Sequence, residues 1–302
     1  MGPSPASNSG SWASRDGSVL KSFTGLLIME KKNKLNSIRA LVVIGDTHCG
    51  SSAAIMPPGS LLRDGQAVKL SPEQKMLWGW WNAFWLFVAR ITKGQPYALV
   101  MNGDIVDGAH HNCVQLVTNN VSQQRKIAVD LLRPQVKKAA KFYCTCGTAA
   151  HAGQSSADEE AVAEILGAEK DHKGNYVRQD LWIKMGKDLI QIAHHIGTTS
   201  SQAYKSSPAM RLMASMYGAA GEWGFRPPTI MVRSHAHDYV VVKRPNCQVV
   251  VCPAWQLKSD WMWGKDTASL PIIGGLVIMQ GEEGIFIREF LRTPKPSSHI
   301  RI

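Results

Sequence analysis

Five short apolar runs, each followed at once by glycine, polar or histidine residues, constrain the fold of this chain most strongly. They cover residues 40–44, 98–101, 142–146, 189–193 and 229–232. Continuous apolar runs of four or five residues are typical of strands that are buried on both faces. The runs therefore predict a sheet whose two sides are both covered by other structure.

Helical patterns separate the first of these runs. Residues 72–91 repeat large apolar side chains at helical spacing, and residues 121–141 predict a second helix, which Pro134 should kink or break. Buried strands that alternate with helices predict an α/β fold. After His237 the pattern changes to strands without intervening helices, at residues 239–242, 248–251, 275–279 and 285–290. These four runs predict a second, partly antiparallel sheet.

Two groups of tryptophans invite different interpretations. Trp78, Trp80, Trp81 and Trp85 resemble a base-stacking platform, but the stripe formed by Trp78, Trp81, Trp85 and Val88 has helical spacing, which favours core packing. Trp255, Trp261 and Trp263 follow the last histidine motif in loop-like sequence. This second group is a candidate lining for a substrate cleft.

From the composition we predict the domain organisation and the cellular location. Residues 1–35 are predicted to be a disordered or dispensable tail, and residues 36–302 a single domain. No run reaches the ~18 apolar residues of a membrane span, so we expect no membrane partner. The six cysteines lack CxxC spacing, which favours reduced thiols and a cytoplasmic location.

The net charge of +11 leaves two interpretations open. Diffuse positive charge favours nucleic acid or phosphate-bearing partners through its long-range field. Solubility alone can produce the same excess of lysine and arginine.

Aspartate and histidine residues follow the apolar runs in a fixed order. The motifs are Asp46-Thr47-His48, Gly103-Asp104-Ile105-Val106-Asp107, Gly147-Thr148-Ala149-Ala150-His151, His194-His195 and His235-Ala236-His237. Loops at the carboxyl ends of neighbouring strands converge at one edge of a sheet. Five such loops in one chain predict a shared set of oxygen and nitrogen metal ligands.

The residue types suit two divalent cations, with Mn²⁺ favoured and Fe, Zn and Ni also compatible. A carboxylate such as Asp104 can bridge two ions roughly 3.5–4 Å apart. Such a pair activates a bridging water as hydroxide near neutral pH and clamps the oxygens of a phosphoryl group during attack.

The order of these motifs resembles that of the calcineurin-like metallophosphoesterases over about residues 40 to 240. The family pattern is D-x-H, G-D-x-x-D, G-N-H-D/E, a histidine at a strand end, and G-H-x-H. The resemblance implies a four-layer α/β/β/α sandwich of two mixed sheets with helices outside. It also implies hydrolysis of a phosphomonoester or phosphodiester by two bound metal ions.

The resemblance also implies a role for each matching residue. Asp46 and His48 would bind the first metal, Asp104 would bridge, and His237 would complete the first site. His235 and the strand-end histidine would bind the second metal. Asp107 would brace the site without ligating a metal.

The third motif departs from the family pattern. Thr148 occupies the position of the asparagine ligand, and His151 is displaced by two residues from the position of the catalytic histidine. His151 then acts either as a general acid or as the replacement metal ligand. At the strand end, His194 directly follows the apolar run and is preferred to His195 as ligand. His110 and His111 face the phosphate in one interpretation and are solvated loop residues in the other.

The resulting hypothesis is a dinuclear metal-dependent hydrolase of phosphoric esters. A phosphodiesterase or nuclease acting on a nucleotide or nucleic acid is favoured by the basic charge. The alternative is a non-catalytic scaffold of the same fold that binds other proteins, which the altered third motif keeps open.

Overall fold

The first sheet has six strands, of which four are parallel. A computed structural model describes residues 38–110, 113–199, 201–265 and 269–295. The strand order is β11-β10-β1-β2-β3-β4, with β10 and β11 antiparallel to their neighbours. The strands are β1 (Ala40–Ile44), β2 (Tyr97–Asn102), β3 (Lys141–Thr145), β4 (Val177–Arg178), β10 (Ile273–Gln280) and β11 (Ile285–Arg292).

The second sheet has five strands in the order β5-β6-β7-β9-β8. Strands β6, β7 and β9 are parallel, and β5 and β8 lie antiparallel at the two edges. The strands are β5 (Leu181–Met185), β6 (Asp188–Ile192), β7 (Ile230–Arg233), β8 (Val240–Arg244) and β9 (Cys247–Val251).

Four helices cover the outer faces of the two sheets: α1 (Pro72–Thr92), α2 (Val121–Val136), α4 (Ala157–Leu166) and α5 (Ser207–Trp223). Two short helices are the one-turn α3 (Ala149–Ala152) and α6 (Asp260–Lys265). Helix α1 begins where Ser71 and Gln74 cap each other, since each side chain accepts a hydrogen bond from the other's backbone amide.

The side chains of β1 show how the layers are built. Leu41 and Val43 point into a core between the sheets, where they join Val232 and Val250 of the second sheet. Alternate residues of β1, including Val42, point the other way, because successive strand side chains face opposite sides.

The outer cores complete the sandwich. Trp81 of α1, Ile127 of α2 and Val162 of α4 pack against the first sheet, while Met213 of α5 packs against the second. The four-layer α/β/β/α architecture of two mixed sheets is therefore confirmed.

The helix predicted over residues 121–141 ends at Val136, two residues after Pro134, so the predicted break at this proline is confirmed and only the last five residues are not helical. One prediction about the strands is wrong. The strands after His237 do not form a sheet of their own. Strands β8 and β9 extend the second sheet, whereas β10 and β11 return to the first.

The two groups of tryptophans fare differently: the core packing predicted for the first group is confirmed for two of its members, whereas the second group does not share one environment. Trp81 and Trp85 are buried in the core, as their spacing indicated. Trp255 is also fully buried, with its ring centroid 4.8 Å from that of Trp81, so it does not line a cleft. Trp261 and Trp263 on α6 are exposed.

Among the described residues, no helix is both long enough and apolar enough to cross a membrane. The predicted tail, residues 1–35, lies outside the described residues.

Candidate metal centre

The candidate ligands lie in tight turns at the carboxyl ends of four strands. In each turn the first ligand stands two residues beyond the end of the strand: Asp46 after β1, Asp104 after β2, His194 after β6 and His235 after β7. The turns are held side by side by backbone hydrogen bonds, such as those from Asp46 N to Gly103 O and from His48 N to Asp104 O, both 3.0 Å. The ligands from both sheets therefore lie at one edge of the sandwich.

Backbone strain is concentrated in these turns. Eight described residues other than glycine have a positive φ, a conformation that most L-residues avoid. Five of them are candidate ligands: Asp46, His48, Asp104, His235 and His237. Strained backbone of this kind clusters at functional sites, because the surrounding structure must hold it in place.

One group of ligand atoms comes from Asp46, His48 and His237. The two histidine Nε2 atoms lie 3.1 Å apart, and His237 Nε2 lies 3.3 Å from Asp46 Oδ1. His48 Nε2 lies 3.9 Å from the same oxygen. All three residues are buried.

A second group comes from Asp104, His194 and His235. His194 Nε2 lies 3.0 Å from Asp104 Oδ2, and the same carboxylate oxygen lies 4.0 Å from His48 Nε2 in the first group. Asp104 therefore stands between the two groups.

The spacing of these atoms fits metal ions. Metal–ligand bonds of about 2.0–2.2 Å place neighbouring ligand atoms about 3 Å apart. His194 Nε2 is buried 3.0 Å from Asp104 Oδ2 and 4.0 Å from Asp46 Oδ1 without a well-formed hydrogen bond to either, while its Nδ1 faces the Asn102 carbonyl oxygen at 2.7 Å. A buried imidazole nitrogen aimed at two carboxylates, with its other nitrogen held by a carbonyl oxygen, suits a metal ligand.

Charge in this centre perturbs its pKa values strongly. Burial alone would lower the pKa of His194, but the carboxylates of Asp104 and Asp46 outweigh burial and raise it to about 10. Burial would likewise raise the pKa of Asp104, yet His194 and His48 hold it well below its usual range. The site thus concentrates negative charge that a cation can neutralise.

Asp107 lies behind the first group. Its Oδ1 is 3.2 Å from His48 Nδ1 and accepts a hydrogen bond from Gln256 Nε2 at 3.2 Å. A carboxylate on the far nitrogen of a histidine fixes the ring and leaves Nε2 directed at the metal.

Thr148 contacts the carboxylate of Asp104. Its backbone N–H donates to Asp104 Oδ1 at 2.7 Å, and its hydroxyl lies 3.1 Å from the same oxygen. The structure therefore places Thr148 against the proposed bridging residue.

His151 lies on α3 beside the first group. Its Nδ1 lies 2.6 Å from the carbonyl oxygen of Asp107, and its ring is 4.4 Å from that of His48, edge to face. Burial and the neighbouring His48 lower the pKa of His151 to about 4. The displaced histidine of the third motif thus lies at the centre, with a ring nitrogen within 4.8 Å of ligand atoms of His48 and Asp104.

The two adjacent histidines at the end of β6 separate as the pattern of strand faces predicts. His194 is buried among the ligand atoms. His195 is exposed and stacks on His235, with ring centroids 5.0 Å apart. His110 is half-buried, with its Nε2 3.5 Å from Asp107 Oδ2, and His111 lies outside the described residues.

The sequence interpretation missed Glu159, which lies beneath the centre on α4. This fully buried carboxyl accepts hydrogen bonds from Gly147 N at 2.7 Å and Ile105 N at 3.4 Å. Burial and the charge of Asp104 raise its pKa to about 7. The available signal was its spacing, since Glu159 falls on the helix face of Val162, Ala163 and Leu166, all buried.

Asn102 was also missed. Its amide donates to Ser234 Oγ at 2.8 Å and to the Ala193 carbonyl oxygen at 3.2 Å, so it joins β2 to the ends of β6 and β7. Its signal was an amide side chain at the end of an otherwise apolar run.

This chain resembles several solved structures, but only distantly. No protein-family model and no curated protein matches the chain. Vps29 in complex with zinc from Entamoeba histolytica is 11% identical with a TM-score of 0.41, over 83% of this chain and 92% of that one.

Two further solved structures are similarly distant. A novel archaeal phosphodiesterase is 9% identical with a TM-score of 0.40, covering 84% and 99% of the two chains. An uncharacterized protein from Streptococcus pneumoniae, described as a predicted phosphoesterase, is 10% identical with a TM-score of 0.32, covering 84% and 98%. Likeness at this level does not inform the activity or the ligands of this chain.

Proposed function

We propose that this protein is a calcineurin-like metallophosphoesterase that hydrolyses phosphoric esters with two divalent metal ions. One observation carries the proposal: two groups of carboxylate and imidazole ligands, all buried except the half-buried His235, meet at one edge of the sandwich, with Asp104 between them. The order of the motifs along the chain is the second support.

The residues of the centre have separate tasks. Asp46, His48 and His237 would hold one ion, His194 and His235 the other, and Asp104 would bridge them. When bound, the two ions supply Lewis-acid charge and an activated water for attack on phosphorus. Asp107 orients His48, and the Asn102 carbonyl oxygen orients His194.

Thr148 and His151 complete the site. Thr148 would add a hydroxyl ligand at the second ion or hold the Asp104 carboxylate in its bridging orientation. His151 would place Nε2 beside the leaving oxygen, since its Nδ1 is engaged by the Asp107 carbonyl oxygen. A protonated His151 can then donate a proton to the departing alkoxide.

For the substrate we propose a phosphodiester of a nucleotide or nucleic acid, with Mn²⁺ as the favoured metal. The support is the excess of 34 lysine and arginine residues over 23 aspartate and glutamate residues, which attracts polyanions. Carboxylate and imidazole ligands suit Mn²⁺, and they also accept Fe, Zn and Ni.

The test is hydrolysis of bis-nitrophenyl phosphate and nitrophenyl phosphate by purified protein. We expect chelator to remove activity and Mn²⁺ to restore it, with the diester cleaved faster. Elemental analysis should give about two ions per chain when both ligand groups are filled.

The matched variants are Asp104→Asn and Asp130→Asn. The first removes the proposed bridging charge and should lower turnover by at least about 10³-fold, since one oxygen can no longer serve as an anionic ligand. The second makes the same chemical change on the exposed face of α2 and should leave turnover unchanged. Metal binding without hydrolysis of either ester would instead support the scaffold alternative.

A further inference from the structure

The loop after β2 brings together a third set of metal-ligand atoms that the proposed dinuclear centre does not use. Asp107, His110 and Cys113 follow one another at D-x-x-H-x-x-C spacing. Cys113 N donates a hydrogen bond to His110 O at 2.9 Å, so the backbones of these two residues are in contact. One ligand atom from each of the three residues lies within 4.8 Å of the others.

The carboxylate of Asp107 faces two ways. Its Oδ1 contacts His48 and Gln256, as described above, whereas its Oδ2 is buried and lies 3.5 Å from His110 Nε2. The second oxygen can therefore bind a cation without releasing His48.

Cys113 gives this group a different preference from that of the dinuclear centre. Thiolate ligands select soft or borderline metals, and zinc binds sulfur, imidazole nitrogen and carboxylate oxygen together in tetrahedral sites. No thiol belongs to the ligand groups of Asp46, His48, Asp104, His194, His235 and His237 among the described residues.

We propose that Asp107, His110 and Cys113 form a third metal site, selective for Zn²⁺ and separate from the two ions of the dinuclear centre. Binding would displace the thiol proton of Cys113 to solvent and form one sulfur–metal, one nitrogen–metal and one oxygen–metal bond. Three protein ligands leave the fourth tetrahedral position open to water or an anionic ligand.

The position of the third site connects it to the rest of the centre. The rings of His110 and His151 lie 4.2 Å apart, edge to face, and Asp107 also braces His48. An ion in the third site would therefore add positive charge beside His151, where a phosphate ester is proposed to bind. The site itself does not depend on the proposed activity.

The experiment loads the full-length protein with Co²⁺, which replaces zinc and reports its ligands by absorption. A cobalt–thiolate bond gives a strong near-ultraviolet charge-transfer band that carboxylate and imidazole ligands do not give. We expect this band in the wild-type protein, and we expect added Zn²⁺ to abolish it.

Two cysteine variants test the assignment. Cys113→Ser should lose the band and about one bound ion per chain, whereas Cys247→Ser, which removes a thiol from the core beneath α5, should keep both. His110→Gln retains the thiol and should weaken cobalt binding by at least about tenfold, consistent with the loss of one metal ligand. This third variant keeps the test decisive if Cys113→Ser does not fold.

Two results of the cobalt experiment would contradict the proposal. A cobalt-loaded wild type without the charge-transfer band, or a Cys113→Ser variant that retains it, would refute the third site. Because the band requires no turnover, an inactive protein that shows it would support the third site while contradicting the proposed phosphoesterase activity.

Discussion

The imidazole of His151 illustrates how neighbouring groups set the role of a single residue. Its Nδ1 faces a carbonyl oxygen, which requires the proton on that nitrogen and leaves the lone pair on Nε2 in the neutral ring. With a pKa of about 4 the ring is neutral near pH 7. A bound phosphate would raise that pKa, since an adjacent negative charge favours the imidazolium.

We predict that His151→Gln slows hydrolysis of alkyl phosphate esters by about 10²–10⁴-fold, which is the usual contribution of general acid catalysis. Nitrophenyl esters should slow far less, because nitrophenolate leaves without a proton. In the wild type, alkyl-ester rates should fall as pH rises through the pKa of the bound enzyme, because the acid loses its proton. A loss of bound metal in the variant would instead assign His151 as a ligand.

Glu159 is the second residue whose surroundings determine its behaviour. Its pKa rises from the usual 4.5 to about 7, chiefly because of burial. The folded state therefore prefers the protonated carboxyl, and stability is lost as pH rises from 4.5 through about 7. The loss is on the order of 3 kcal/mol, since each tenfold change in proton affinity corresponds to about 1.4 kcal/mol.

We expect Glu159→Gln to remove this dependence, because the amide resembles the protonated acid in shape and charge. Denaturant unfolding in chelator at pH 5 and pH 8 measures the change for both proteins. The wild type should lose more stability than the variant between these values. Equal losses would contradict the raised pKa.

At the scale of elements, the turn between β3 and α3 must pass very close to the turn after β2. A Cβ atom added to Gly147 would lie 2.3 Å from Asp104 N and 2.3 Å from Asp104 Oδ1. These atoms cannot move without displacing the bridging carboxylate. Glycine is therefore required here for close approach between two loops.

We predict that Gly147→Ala lowers the free energy of unfolding by about 1–3 kcal/mol, as overpacking of buried sites does, and weakens metal binding. The control is Gly218→Ala in α5, where an added Cβ meets no atom within 4 Å. That change should stabilise the protein by up to about 1 kcal/mol, because alanine favours helix. Unfolding and metal titration of the two variants make the comparison.

At the scale of the whole molecule, the metal centre joins the two sheets. Asp46, His48 and Asp104 come from the first sheet, whereas His194 and the His235–His237 turn come from the second. Without cations, this edge holds buried carboxylates beside imidazoles whose pKa is raised, His194 among them. Metal binding should therefore stabilise the packing of one sheet against the other.

We predict that Mn²⁺ at about 100 times its dissociation constant stabilises the fold by about 2.7 kcal/mol relative to chelator. Thermal unfolding measures this gain, which Asp104→Asn should largely lose. Binding should also release protons, because His194 with a pKa of about 10 must be deprotonated to ligate. Calorimetric titration in two buffers of different ionisation enthalpy counts those protons, and a count of zero would contradict the raised pKa.

The sequence by itself determined the strands and the order of the motifs, because both depend on local patterns. Continuous apolar runs located the five strands to within one residue at each end, and polar residues beyond them marked the edge where loops converge. Alternation of side chains along a strand indicated that only one of His194 and His195 faces the metals, and the family pattern, in which the histidine directly follows the apolar run, selected His194. The four-layer sandwich came from the resemblance of the motifs to a known family.

Only the tertiary structure decided how distant segments meet. Strand partners for β8 to β11 depend on which sheet each hairpin joins, so the strands after His237 divide between two sheets. Trp255 looked like a cleft residue because its neighbours are loop-like, yet it packs into the aromatic core of α1. The hydrogen bonds of Glu159 and Asn102, and the contact of Asp107 with His48, join segments far apart in sequence, where no local pattern records proximity.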